Sequence, residues 1–159
     1  MEQDILSFYG GYNYFLNKLY FAKADCLFAL GEFSEANIYI DKVLPHIQGD
    51  DISNAKINPI IVIQALKLKG DILRNLGNYV EAESYYLQTE KLSDKYFTHK
   101  SVQDISDLYV SMVMNRLDKY DIHGALAYKL EHDKLFGKQH SGHHKITLYL
   151  KEKTANQQQ

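Results

Sequence analysis

The seven residues Leu30–Ala36, LGEFSEA, return as LGNYVEA at Leu76–Ala82, 46 positions later. A chain that repeats a glycine, an aromatic and an alanine at the same offsets is building one local structure twice. The flanking residues agree as well. Tyr20, Ala24 and Leu27 precede the first copy at helical spacing, and Leu66, Gly70 and Leu73 precede the second. Ile40 and Val43 continue an apolar face after the first copy, as Tyr86 and Leu92 do after the second. Residues three and four apart share a helix face, so each unit reads as helix, corner, helix. Gly31 and Gly77 end the first helix of each unit, where a left-handed conformation costs glycine least. Phe33 and Tyr79 plug the junction, and Ala36 and Ala82 let the second helix close on the first.

A third, degraded unit spans Ser106 to Phe136, with Ala125 placed 43 residues after Ala82. No glycine stands at its corner. Tyr120 or Ile122 is the expected plug, and the turn is expected to carry extra residues. Between the first two units lies a linker from Pro45 to Pro59 containing QGDDISN. The pattern predicts helices over 12–30, 33–47, 58–76, 79–96, 101–118, 122–136 and 143–153. Residues 2–9 read as a further short turn set off by Gly10 and Gly11, and the polar tail KTANQQQ as frayed. This is one all-α domain over residues 1–159, with repeat hairpins at 12–47, 58–96 and 101–136 and a capping helix at 143–153.

Composition agrees. Two prolines, no tryptophan and 13 tyrosines suit packed helices whose aromatic rings keep one end wet. The 159 residues suffice for one sizeable core. A net charge of −2 argues against binding nucleic acid or an anionic membrane through charge alone. No apolar run approaches the roughly 18 residues that cross a bilayer, and Met1–Tyr9 lacks the cationic start of a secretory signal. A single cysteine, Cys26, permits no internal disulfide, which fits a reducing, cytoplasmic compartment.

The two clear hairpins resemble the tetratricopeptide repeat (TPR). The first matches through Tyr20, Ala24, Leu27, Gly31, Phe33, Ala36 and Ile40, the second through Leu66, Gly70, Leu73, Gly77, Tyr79, Ala82 and Tyr86. The third hairpin matches weakly and the terminal segments do not. Lys23 and Lys69 stand where the family usually has leucine. The resemblance implies a right-handed superhelix of about seven helices. It also implies a concave groove lined by the first helix of each pair, binding of peptides or protein segments, no cofactor and no catalysis. The closing stretch ALAYKLEHDKLFGKQ is similar to the last repeat of bacterial sensor and regulator proteins with TPR regions. That implies an alternative role as a sensory or regulatory segment in bacterial signalling or transcription control.

Helical spacing puts Lys18, Phe21, Asp25 and Phe28 on one stripe of the first hairpin, and Gln64, Lys67, Asp71, Arg74 and Asn75 on the equivalent stripe of the second. Phe21 and Phe28 are the expected apolar anchors, with Lys67 and Arg74 across from them; the alternative is that both rings are covered by the N-terminal segment or a second subunit. Some TPR proteins clamp a chaperone's C-terminal carboxylate through a lysine and an asparagine. Lys67 matches that lysine and Phe21 does not, while Asp25 and Asp71 replace the asparagines and repel a carboxylate. His140 and His144 would share a helix face as a metal pair, but Gly142 interrupts it, and a solvated loop with no metal is expected. Cys26 is expected as a buried structural thiol. With no phosphate-binding loop and no nucleophile elbow, an enzyme is not expected. The last helix, with Ile146, Leu148 and Leu150, either folds back as a cap on the third hairpin or pairs with a second copy as a homodimer.

Overall fold

A helix leaves its last carbonyls without intrahelical donors, and this chain satisfies them in the same way at three corners. The computed structural model describes residues 12–44, 59–96 and 101–157. The turn at 2–9, Gly10 and Gly11, and the linker between Leu44 and Pro59 lie outside the described residues. Helix α1 (Tyr12–Ala29) ends at Gly31, whose φ is +81°. The Gly31 amide donates to the Phe28 carbonyl at 3.0 Å and the Glu32 amide to the Leu27 carbonyl at 2.9 Å. This paired closure is the Schellman arrangement. Helix α2 (Phe33–Ile40) then returns along α1. Helices α3 (Pro59–Asn75) and α4 (Tyr79–Tyr96) repeat the corner, with Gly77 at φ +84° and bonds of 3.0 Å to Arg74 and 2.8 Å from Asn78 to Leu73.

The third corner joins α5 (Val102–Asp118) to α6 (Ile122–Phe136) and has the same length as the other two. The expected extra residues are not there. Tyr120 takes the glycine's place at φ +63°, its amide donating to Leu117 at 3.0 Å and that of Asp121 to Arg116 at 2.8 Å. Tyr120 is 75% exposed, and Ile122 is exposed too, so neither is a plug. Asp121 compensates by capping α6, its carboxylate accepting the Gly124 amide at 2.9 Å.

Seven helices, ending with α7 (Ser141–Gln157), make the whole of the regular structure among the described residues. They stack as a repeat array. The first helices α1, α3, α5 and α7 touch in series, and each second helix packs on its own partner and on the first helix of the next unit. Ala36, Ala82 and Ala125 are all buried at the hairpin crossings. At Gly70 a Cβ would lie 2.6 Å from the Tyr86 ring, so only glycine lets α4 lay that ring across α3. Lys69 is buried between hairpins, its ammonium 2.6 Å from both Asn37 Oδ1 and Asp41 Oδ1 on the α2 side. The lysine thus ties one unit to the next where an aliphatic side chain would only pack.

Three expectations change in detail. Helix α2 stops at Ile40 and continues as turns through Leu44, with Val43 still buried. Helix α7 begins at Ser141 and runs to Gln157, so most of the tail is helical. Cys26 is exposed, not a buried thiol.

Candidate functional site

The repeat stack leaves a cleft of about 350 Å³ between α3, the end of α4 and the start of α5, and a second hollow of about 430 Å³ over the second corner, lined by Gly77 to Glu81 and Lys119. The apolar wall of the cleft is Ile60, Ile63, Ile105 and Leu108, and its polar edge includes Gln64, Lys67, Thr89, Ser93, Asp104 and Asp107. An apolar floor with a few polar groups is the usual make-up of a binding cleft. Ser101 caps α5 beside it, accepting the Asp104 amide at 3.4 Å, which sets the angle at which Asp104 and Ile105 enter.

Of the nine residues read from the two stripes, only Gln64 and Lys67 line this space. Lys67 lines it, with its ammonium 2.8 Å from Asp71. Asp71 is buried and also accepts the Tyr86 hydroxyl at 2.8 Å. Burial, and then the Asp71 charge, push the Tyr86 phenol far above its ordinary range. Arg74 reaches away to Asp118 at 2.8 Å, and the Asn75 amide donates to the Asp71 carbonyl at 2.8 Å. Phe21 and Phe28 are half-buried against the first hairpin's core, Phe28 with its ring 5.5 Å from that of Phe33. Lys18 and Asp25 lie at the surface of α1. The open space is therefore one hairpin further along than the phenylalanines. Stepping back 43 residues, the interval from Ala82 to Ala125, pairs Gln64 with Asp107, the signal that points to α5 as the opposite wall.

Two polar networks brace the walls. Asp118 accepts from Arg74 of α3 and, on α7, from Lys153 at 2.6 Å and from the Tyr149 hydroxyl. Burial opposes its charge, but these donors together hold its carboxyl below the usual range. Glu83 of α4 gathers Arg116 at 2.7 Å, the Tyr128 hydroxyl at 2.8 Å and the Asn115 amide at 3.0 Å. Burial and the Glu83 charge push the Tyr128 phenol up to about 12.

The histidine segment is not a solvated loop. Ser106 and His132 are fully buried, with Ser106 Oγ 2.8 Å from His132 Nε2 and 3.2 Å from His140 Nδ1. Asp133 Oδ1 lies 3.3 Å from His132 Nδ1 and 2.8 Å from His143 Nδ1. Burial depresses the His132 pKa, while Lys129 and the two histidines hold the Asp133 carboxyl well below the usual range against its partial burial. A serine, a histidine and an aspartate in this order suggest a nucleophile and its base. Here a Cβ on Gly142 would run into Ser106 Oγ and His132 Nε2, so the backbone of α7 seals the pair. His144 is exposed, its ring edge-on to that of His143 at 5.8 Å, and no cluster suited to a metal ion occurs among the described residues.

No helix among the described residues is long and apolar enough to cross a membrane. The chain matches no family model, no curated protein and no solved structure.

Proposed function

We propose that this chain is a non-catalytic protein-interaction module of TPR-like design, which works in the cytoplasm and holds a segment of a partner protein in the groove along α1, α3 and α5. The observation that carries this reading is the cleft of about 350 Å³ between α3 and α5, with isoleucine and leucine walls and a polar edge. It has the size and make-up to take one large apolar side chain of the bound segment. The first helices stack in series, which leaves a continuous surface for the rest of that segment. Lys67 is already paired with Asp71 and Arg74 with Asp118, so the anchoring falls to the apolar walls. Asp107 is held by Lys145 and Gln103, and Asp104 favours a segment of mixed charge with a cation beside its apolar residue.

Capture of a partner on the immobilised chain, followed by titration of the captured segment, tests the reading. Burial of an apolar anchor contributes roughly 2 kcal/mol or more. Ile105→Glu is therefore expected to weaken binding well beyond tenfold, while Val80→Glu, exposed at the second corner, leaves it unchanged. Equal affinity for wild type and Ile105→Glu would place the binding surface elsewhere.

A further inference from the structure

The histidines between α6 and α7 serve neither the cleft nor the repeat pattern, and their neighbours fix where the protons sit. His140 stands just before α7, in the N-cap position, and its Nδ1 accepts the Gly142 amide at 3.1 Å. That nitrogen is therefore bare, with the ring proton on Nε2. The Asp133 carboxylate, paired with Lys129 at 2.7 Å, accepts from Nδ1 of both His132 and His143 through Oδ1. Neutral His132 then has its acceptor at Nε2, and the Ser106 hydroxyl donates to it at 2.8 Å.

This network is complete with three neutral imidazoles, and it has one acceptor to spare. A proton added to His132 at Nε2 turns the Ser106 hydroxyl round, toward His140 Nδ1 at 3.2 Å. A proton added to His140 at Nδ1 removes that acceptor and sets N–H against the Gly142 amide. It also puts a positive charge at the N-terminal end of α7, where the helix dipole opposes it. The two protons thus compete for one place. Facing the pair are Ser106 from α5, Asp133 with its partner Lys129 and Phe136 from α6, and His143 with the Gly142 backbone from α7. Asp133 is the one carboxylate in that set. Burial depresses the His132 pKa, so a form with α7 lifted takes up the proton first as pH falls. The closed form is favoured above the ordinary histidine value of about 6.5.

Helix α7 is held differently at its two ends. Its first two turns carry Gly142, pressed on Ser106 and His132, and the buried Ile146. Further along, Tyr149 and Lys153 are bonded to Asp118, whose carboxyl stays charged in mild acid because its donors hold it below the usual range.

We propose that the histidine cluster is an acid-sensitive latch on α7: in mild acid His140 gives up the Gly142 amide and the first two turns of α7 lift from α5 and α6, while Tyr149 and Lys153 keep the far end on Asp118. Histidine changes charge between about pH 5 and pH 8, so the latch works near neutrality. Lifting uncovers Val113, Leu117 and Ala125, which pack with Ile146 in the closed form. It also takes Lys145 away from Asp107, 3.4 Å distant at the edge of the cleft. Any effect on binding there rests on the cleft reading above, whereas the latch itself does not.

Amide hydrogen exchange of the full chain at about pH 7.5 and about pH 5.5, expressed as protection factors to remove the intrinsic pH dependence, tests the latch. Protection over residues 141–147 is expected to fall about tenfold or more in acid, with that of α3 and α4 unchanged. The ring-carbon shift of His140, which reports its protonation, is expected to titrate with the same midpoint. In His140→Asn the amide oxygen sits as many bonds from the backbone as Nδ1 and caps a helix well, but it does not titrate. That variant is expected to keep its protection over 141–147 at the lower pH. Wild-type protection that is constant with pH, or that falls together with α3 and α4, would overturn the latch. So would a His140 ring still neutral when protection is lost, or an acid loss in His140→Asn equal to that of wild type.

Discussion

Tyr120 holds a backbone conformation that its own side chain disfavours. A β-carbon at positive φ costs of order 1 kcal/mol or more, and glycine carries no such penalty. Tyr120 is mostly exposed, so little packing is lost on its removal. Tyr120→Gly is expected to stabilise the protein by about 0.5–1 kcal/mol, a rise in Tm of a few degrees. Gly77→Val should do the reverse by about 1 kcal/mol or more through strain alone, because a Cβ at Gly77 meets nothing within 4 Å. Thermal melts of both variants check the pair. Gly31 and Gly77 were legible in the sequence because glycine is the residue this corner usually takes. Tyr120 was not, because hydrogen bonding of the corner, and not its residue type, is what the third copy keeps. Cys26 occupies the register that is buried in α3 and α5, which is why a buried thiol is expected there, yet on α1 it is exposed.

His132 carries a pH dependence with a definite sign. Facing it are Ser106 from α5, Asp133 and Phe136 from α6, His140 from the connection, and His143 with the Gly142 backbone from α7. Burial lowers its pKa in the folded protein, so the unfolded chain takes up a proton first as pH falls. Stability is then complete above the unfolded value of about 6.5 and declines below it, by at most about 1.4 kcal/mol per pH unit. The depressed Asp133 pKa acts only in the acid range, below the ordinary carboxylate value, and in the same direction. Tm is expected to fall between about pH 7 and pH 5, which thermal melts over that range check.

Among the elements, α7 shows most clearly what packing adds to pattern. Its apolar Ile146 was visible in the sequence as a capping residue, and it is indeed fully buried. The helix is longer than its apolar stretch because Gly142 sits inside it, pressed on Ser106 and His132. In a single sequence a glycine flanked by histidines reads as a loop, since the close approach that requires it joins residues 106, 132 and 142, far apart along the chain. Gly142→Ala is expected to cost on the order of 2 kcal/mol, because its methyl must displace two fully buried side chains or lift α7. Thermal denaturation gives the loss, and faster amide exchange over residues 141–153 than in wild type would assign it to α7. The boundaries of α3, α4, α5 and α6 fell within a residue of expectation, because their corners and apolar periods are set locally.

On the scale of the whole molecule, the repeat pattern was enough to order the helices and to show that the first helix of each unit faces a common side. It did not locate the open space. The stripe Gln64, Lys67, Asp71, Arg74 and Asn75 reads as a row of available groups, whereas ion pairs with Asp71 and Asp118 and a backbone hydrogen bond occupy most of it. Those partners lie on other turns and on α5, so helical spacing alone could not reveal them. The phenylalanines of α1 are likewise engaged with their own core. The cleft forms where α5 enters beside α3, at Ile63, Gln64, Ile105 and Leu108.

The central claim, that this cleft receives a partner segment, is tested most directly by methyl resonances. Isoleucine, leucine and valine methyl spectra recorded on adding the captured segment should show the largest shifts at Ile60, Ile63, Ile105 and Leu108, with Val80, Leu126 and Leu130 unmoved. Shifts confined to Val80, Leu126 and Leu130, with the four cleft residues silent at saturation, would contradict it.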